Sequence, residues 1–181
     1  MKSIKSTNKI SKMMVSLAWL AFLIMLVLGF DRYLEKQTNP NDRPEFVYAA
    51  DGSAEVTLLQ NRQGHYIAEG KINDQWALFV LDTGATNISI PGNVAKKMHL
   101  TAGYPERTRT ANGDITVYRV MLDSVKLGSI ELKNIAAHIN PNMNGKGVLL
   151  GMSFLKHLEM LQKDQKLTLR LGAMASCANC L

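Results

Sequence analysis

The hydrophobic positions of this chain form one long uninterrupted run near the start and many short runs after it. The long run, Met13 to Phe30, carries no charge over roughly 18 residues, a length that crosses the hydrocarbon core of a bilayer. We therefore expect one transmembrane helix over 13–30, after a Lys-bearing tail over 1–12 and before a polar linker over 31–54. The alternative, a cleavable signal peptide, is disfavoured because the run is long and no small-x-small site follows it closely.

The short runs predict a single all-β domain over 55–172, followed by a tail over 173–181. Their spacing is typical of a barrel or a sandwich of short strands. The predicted strands are Val56–Gln60, His65–Ile72, Trp76–Leu81, Ile88–Ile90, two arms within Glu106–Val120, Ser124–Leu127, Ile130–Ile139 and Lys166–Leu171. Two short helices are predicted at Gly92–His99, introduced by Pro91, and at Met152–Leu158.

One of these strands ends at an acid. The apolar run Ala77–Leu81 leads directly into Asp82, and Thr83 and Gly84 follow. Asp is disfavoured in buried strands and is costly to desolvate without a partner, so its position suggests that the carboxylate is used. Asp, Thr and Gly are also ordinary turn formers, so the triplet alone leaves a plain turn open.

The surroundings of this triplet resemble the active-site loop of the retropepsin-like aspartic proteases. Two hydrophobic residues precede Asp-Thr-Gly-Ala, and a later hydrophobic pair followed by Gly and a short helix matches the second element of that family. The resemblance is to the bacterial, membrane-tethered members and covers about Val56 to Arg170. It implies a retropepsin-like acid-protease barrel with these site residues: catalytic Asp82, the active-site loop Thr83, Gly84 and Ala85, and the supporting Leu149, Leu150 and Gly151.

A hairpin is predicted between these two elements. Asn112-Gly113 between β-rich arms is the strongest short hairpin signal in a sequence. By itself it indicates only a surface hairpin. Its place along the chain is where the family carries the flap that closes over substrate, so the resemblance assigns Ala111, Asn112 and Gly113 to substrate binding.

Peptide hydrolysis by aspartates needs two carboxyls about 3 Å apart that share one proton. This chain has one matching motif, because Asp123 lacks the Thr-Gly that would make a second. We therefore expect a symmetric homodimer in which each subunit supplies Asp82. The alternative from another functional class is a catalytically inactive retropepsin-fold module that dimerises or binds a peptide.

Charge and composition exclude other classes. The net charge is +6, but four of the 21 basic residues lie in the first dozen positions and the rest are scattered among acids, so no nucleic-acid partner is expected. The four histidines, His65, His99, His138 and His157, lack metal-ligand spacing, and no metal or cofactor is expected. Gly151-Met152-Ser153-Phe154 begins like a nucleophile elbow, but Leu155 stands where the second Gly of that motif should be.

The ends of the chain bear on its location. Lysines before the long apolar run place the N-terminus in the cytoplasm, so we expect a single-pass inner-membrane protein with a periplasmic domain and membrane-proximal protein or peptide substrates. Cys177 and Cys180 form a Cys-Ala-Asn-Cys pair next to the final residue Leu181. They favour a local disulfide or a frayed tail, while a transmembrane redox protein remains a distant third function.

Overall fold

The structure, a computed structural model, describes residues 4–41, 47–48, 52–110 and 113–172. The chain divides into two compact units, Met1–Thr38 and Asn39–Leu181. The C-terminal tail with Cys177 and Cys180 lies outside the described residues, so its predicted role is not tested.

The first unit is one helix, α1, over Ile4–Thr38. Its segment Lys12–Leu34 is long and apolar enough to cross a membrane, a test that a signal sequence near the N-terminus also passes. The helix continues past the predicted span, so residues 31–38 of the predicted linker are helical. Helix formers fill this stretch, and the helix stops two residues before Pro40 because the residue before a proline is disfavoured in the α region.

The second unit is built from short strands and two short helices. Its strands are β1 Val47–Tyr48, β2 Ala54–Leu59, β3 Ile67–Ile72, β4 Gln75–Leu81, β5 Ile88–Pro91, β6 Pro105–Thr110, β7 Gly113–Leu127, β8 Ile130–Asn140, β9 Gly147–Leu150, β10 Leu158–Lys163 and β11 Lys166–Leu171. Its helices are α2 Gly92–Lys97 and α3 Met152–Leu155. This mainly β architecture confirms the predicted fold class.

Six of the strands close into a barrel in the order β3-β4-β9-β5-β8-β7, since β7 pairs back onto β3. Strand β6 pairs with the far half of β7 and extends the sheet as a hairpin arm. A second sheet has the order β1-β2-β11-β10. The core holds fully buried strand side chains such as Phe79, Ile90, Leu122, Ile130 and Leu150, so alternating strand positions supply most of it, and Phe154 of α3 is also fully buried.

Several elements differ from the sequence prediction, and strands β1 and β9 are absent from it. Strand β7 is one strand of 15 residues that joins the second hairpin arm to the predicted Ser124–Leu127 strand. The second predicted helix ends at Leu155 instead of Leu158, and the unpredicted strand β10 begins at Leu158. Only Leu158 of β10 is buried, so no hydrophobic alternation marks the strand, which forms by pairing along its length with β11.

One buried amide joins the two sheets. The Nδ2 of Asn41 donates hydrogen bonds to the carbonyl oxygens of Leu59 in β2 (2.9 Å) and Ile67 in β3 (2.8 Å). Its Oδ1 accepts a hydrogen bond from the Leu59 N–H (2.7 Å). Asn41 is 6% exposed and also bridges to Ala68. Thus a residue assigned by sequence to the linker is part of the β unit.

We expect Asn41→Ala to lower the free energy of unfolding by about 2–4 kcal/mol, because it leaves buried backbone donors and acceptors without a partner. Asn144→Ala is the matched control, since Asn144 is an exposed loop residue. Chemical denaturation of both variants measures the difference. Equal stability of the two variants would contradict a bridging role for Asn41.

Candidate active site

Asp82 lies where β4 leaves the barrel. Strand β4 runs parallel to β9, and Leu81 is paired with Leu150. The N–H of Asp82 donates to the Leu150 carbonyl oxygen (3.2 Å), so the pairing continues onto the acid itself. The barrel therefore holds the backbone of Asp82 while its half-buried side chain projects from the end of the strand.

A tight turn follows and fixes the carboxylate. The Gly84 N–H donates to Asp82 Oδ1 (2.9 Å), and the Ala85 N–H donates to the Asp82 carbonyl oxygen (3.2 Å). A Cβ at position 84 would lie 3.2 Å from Oδ1, so a residue without a side chain suits this approach. The neighbouring Thr83 is exposed. One carboxylate oxygen is thus bound within the chain.

The Leu-Leu-Gly element packs directly behind this turn. Leu150 is fully buried, whereas Leu149 is half-buried and lines the cleft in front of Asp82. A Cβ on Gly151 would lie 2.4 Å from the Asn87 carbonyl oxygen and 2.6 Å from that of Ala85. Position 151 therefore excludes every side chain because two backbone carbonyls of the acid-bearing loop occupy the space.

Helix α3 is joined to the same loop by three hydrogen bonds. The N–H groups of Met152 and Ser153 donate to the carbonyl oxygens of Ala85 (2.8 Å) and Thr86 (2.9 Å). The hydroxyl oxygen of Ser153 accepts from the N–H of Ile88 (3.0 Å). These bonds satisfy the first N–H groups of the helix, which have no partner within it, and hold the loop against the barrel.

The β6–β7 hairpin borders a cleft of about 430 Å³ together with the acid-bearing loop. The hairpin contributes the following lining residues: Thr108, Arg109, Ile115 and Val117. Of the described residues that line this cleft, Asp82 is the one carboxylate. The arrangement can accept an extended chain between the hairpin and Asp82 and can place a carbonyl near its carboxylate.

The structure brings together several of the predicted site residues. Asp82, Gly84, Ala85 and Leu149 line the cleft, and Leu150 and Gly151 lie behind it. Gly113 pairs with Thr110 and has a φ of 105°, a conformation that suits glycine in a tight turn. Ala111 and Asn112 fall outside the described residues, so their substrate-binding assignment stays a prediction.

A polar cluster that was not predicted adjoins the cleft through Asn87 and His138. The Nε2 of His138, on β8, lies 3.4 Å from Asn87 Nδ2 and 3.4 Å from Glu106 Oε2. Arg119 Nε lies 2.6 Å from the same Glu106 oxygen. The His138 side chain is 13% exposed and lines the cleft.

Sequence reasoning missed this cluster because its members come from four separate segments. The one available signal is the alternation along the hairpin arms, which places Glu106 and Val117 opposite each other on one face. Within the described ranges, no group of three or more His, Cys, Asp or Glu side chains is arranged to hold a metal ion.

Comparisons with known proteins agree with this geometry. The family model described as "gag-polyprotein putative aspartyl protease" matches residues 68–157. The crystal structure of a retropepsin-like aspartic protease from Rickettsia conorii matches with a TM-score of 0.58 and 30% identity, over 65% of this chain and 91% of that chain.

Two further relatives carry no functional name. An uncharacterized protein in the cobV 5′ region of a Sinorhizobium species is 33% identical over 132 residues, which are 71% of this chain and 57% of the relative. Uncharacterized protein RP867 of Rickettsia prowazekii (strain Madrid E) is 31% identical over 116 residues, 62% of this chain and 49% of the relative. The chain therefore spans about half the length of these two relatives.

Proposed function

Because the chain belongs to the family of retropepsin-like aspartic proteases, we propose that it is an aspartic endopeptidase whose active form is a homodimer. The observation that carries this proposal is Asp82, fixed by the Gly84 N–H beneath a hairpin-covered cleft. The cleft has a volume of about 430 Å³ and is lined by both polar and apolar residues, and Asp82 is the only carboxylate among its described lining residues.

The requirement for a partner follows from the chemistry. One carboxylate removes a proton from water as the water attacks the peptide carbonyl, while a second, protonated carboxyl donates its proton to the carbonyl oxygen. The tetrahedral diol then collapses, the C–N bond breaks, and the leaving nitrogen takes up a proton. Each described cleft supplies one carboxylate, so a two-fold pairing that brings two Asp82 residues together would complete the catalytic pair.

Proton sharing also gives the expected dependence on pH. Two neighbouring carboxyls work as acid and base only while they hold one proton between them, so activity should rise and then fall as pH increases.

The exposed Thr83 is free to contact the partner's loop across the two-fold axis, the role that the family resemblance implies.

The proposed location is the inner membrane, with α1 as an uncleaved anchor, the N-terminus in the cytoplasm and the β unit in the periplasm. Support comes from the apolar segment Lys12–Leu34 and from the lysines that precede it. An anchor in one membrane raises the effective concentration of two subunits and so favours pairing. Protein or peptide substrates near the membrane are the proposed class.

The test is cleavage of a peptide library by the full chain in detergent or nanodiscs, read by mass spectrometry beside an Asp82→Ala variant. We expect discrete cleavage products from the wild-type chain and none from the variant, because the variant lacks the only described carboxylate in the cleft. Peptide binding without cleavage by either chain would instead identify a binding module. Equal cleavage by both chains would place the chemistry elsewhere.

A further inference from the structure

A cluster of four side chains links the base of the hairpin to the loop that carries Asp82: Glu106, Arg119, His138 and Asn87. We infer that His138 is a positioning residue that switches between the hairpin and this loop. In one state His138 binds Asn87, and in the other it binds Glu106. The inference rests on the proposed protease function, since it assigns to the hairpin a role in holding substrate.

The first step concerns a single atom. His138 Nε2 lies 3.4 Å from the Asn87 amide nitrogen, which is a donor, and 3.4 Å from Glu106 Oε2, which is an acceptor. A ring nitrogen with a free lone pair accepts from Asn87 and offers Glu106 no proton. A protonated ring nitrogen donates to Glu106 and can no longer accept from Asn87. The two bonds therefore exclude each other.

The second step concerns the carboxylate that faces this atom. Glu106 Oε2 is shielded from solvent and lies 2.6 Å from Arg119 Nε, within ion-pair distance. A carboxylate oxygen can accept more than one hydrogen bond, so a proton on His138 Nε2, which is 3.4 Å away, would find a favourable partner there. Glu106 is on β6 at the base of the hairpin, and its bond to His138 would tie the hairpin to β8.

The third step is the effect on the catalytic loop. Asn87 follows the turn that begins at Asp82, and its carbonyl oxygen packs against Gly151. When Nε2 binds Glu106, the Asn87 amide loses this partner; when Nε2 binds Asn87, the Glu106 carboxylate keeps only its ion pair with Arg119. The same proton thus changes the attachment of the hairpin and of the loop in opposite directions.

A neutral imidazole carries its proton on one ring nitrogen or the other, whereas an imidazolium carries one on both, so a charged ring can only donate from Nε2 and the Asn87-bound state requires a neutral ring. Histidine is the side chain that ordinarily changes charge near neutral pH, so acid removes the Asn87-bound state. The groups facing His138 are Glu106 on β6, Arg119 on β7 and the uncharged Asn87 and Ser89 on the loop and β5. Asp82 and Arg109 line the same cleft. Acid conditions favour the Glu106-bound state, in which the hairpin is held down and substrate is retained.

The experiment compares the full wild-type chain with His138→Gln and Glu106→Gln variants, and uses His157→Gln as the matched control because His157 is exposed and lies outside this cleft. Hydrogen exchange of the β6–β7 amides is measured from pH 5 to 8 without substrate and corrected for intrinsic exchange. For the wild-type chain and the control we expect protection of these amides to be about two- to fivefold higher in acid. This is the factor that the stabilisation from one partly exposed ion pair would give.

We expect His138→Gln and Glu106→Gln to remove this pH dependence. In the same chains, KM for a cleaved peptide should fall about two- to fivefold in acid for the wild-type chain and for His157→Gln, but not for the two cluster variants. The rise and fall of kcat with pH should persist in all four, since it belongs to Asp82.

Exchange and KM profiles of His138→Gln that match the wild type would overturn the inference. A pH-dependent exchange that is lost in His138→Gln, combined with no peptide cleavage by any chain, would support the His138 switch while refuting the proposed protease function. Loss of the pH dependence in His157→Gln as well would also overturn it, because the effect would not be local to the cluster.

Discussion

Replacing Asp82 with asparagine should reduce kcat/KM for peptide hydrolysis by about 10³-fold or more, because an amide can neither take the proton from water nor give one to the substrate. The fold should be unaffected. Asparagine has the same shape, and its side-chain oxygen can still accept the hydrogen bond that the Gly84 N–H donates to Asp82 Oδ1. Steady-state kinetics measure the first effect and thermal unfolding the second.

Mixing wild-type chains with Asp82→Asn chains tests whether each active site needs two subunits. If each active site needs one Asp82 from each subunit, a ninefold excess of Asp82→Asn chains should lower the activity per wild-type chain roughly tenfold through random pairing. Asp123→Asn is the control, since Asp123 is an exposed residue of β7 and does not line the cleft. Activity that stays proportional to the wild-type chains in the Asp82→Asn mixture would mean that one chain contains a complete site.

The second large effect is expected at Gly151. An alanine there would place its Cβ 2.4 Å from the Asn87 carbonyl oxygen and 2.6 Å from that of Ala85, distances at which the backbone must move. We expect Gly151→Ala to lower the free energy of unfolding by about 2–3 kcal/mol, as overpacking in a rigid interior does. It should also lower kcat, since the displaced loop carries Asp82.

Gly172→Ala tests whether this effect is specific to position 151. A Cβ at Gly172 would meet only the Glu159 carboxylate at 3.8 Å, an ordinary contact, so its effect should stay within about 0.5 kcal/mol. Denaturant unfolding and peptide kinetics of the two variants provide the comparison. A Gly151→Ala chain as stable and active as Gly172→Ala would show that the loop is not held by this contact.

The parts of the molecule that could be predicted from sequence are those whose cause is local. An apolar run that ends in Asp-Thr-Gly shows both a strand and an acid at its end, although only Ala77 and Phe79 of this strand are buried, and Leu149-Leu150-Gly151 matches the element that supports it. The strand regions before and after these motifs also show in the sequence, because half-buried strands alternate and turn residues separate them. Position 151 must be glycine because two backbone carbonyls from another segment of the chain occupy the space of a side chain. The Leu-Leu-Gly pattern that contains this glycine is nevertheless visible in the sequence.

The remaining features depend on contacts between distant segments. Strand β10 has a single buried residue, so only its pairing with β11 makes it a strand. The contact of His138 with Asn87 spans 51 positions, and neither residue carries a motif. Asn41 lies in a polar stretch that looks like linker, and only the structure shows its bonds to Leu59 and Ile67.

The place of Asn41 determines what would happen if the β unit were shed from α1. A cut between Thr38 and Asn41 would release a domain that keeps the amide joining β2 to β3. A cut on the other side of Asn41 would release a shorter domain in which Leu59 and Ile67 lose these partners, so it should unfold and be degraded sooner. The lifetime of a soluble form would therefore depend on which peptide bond is broken, within a few residues of the end of the helix.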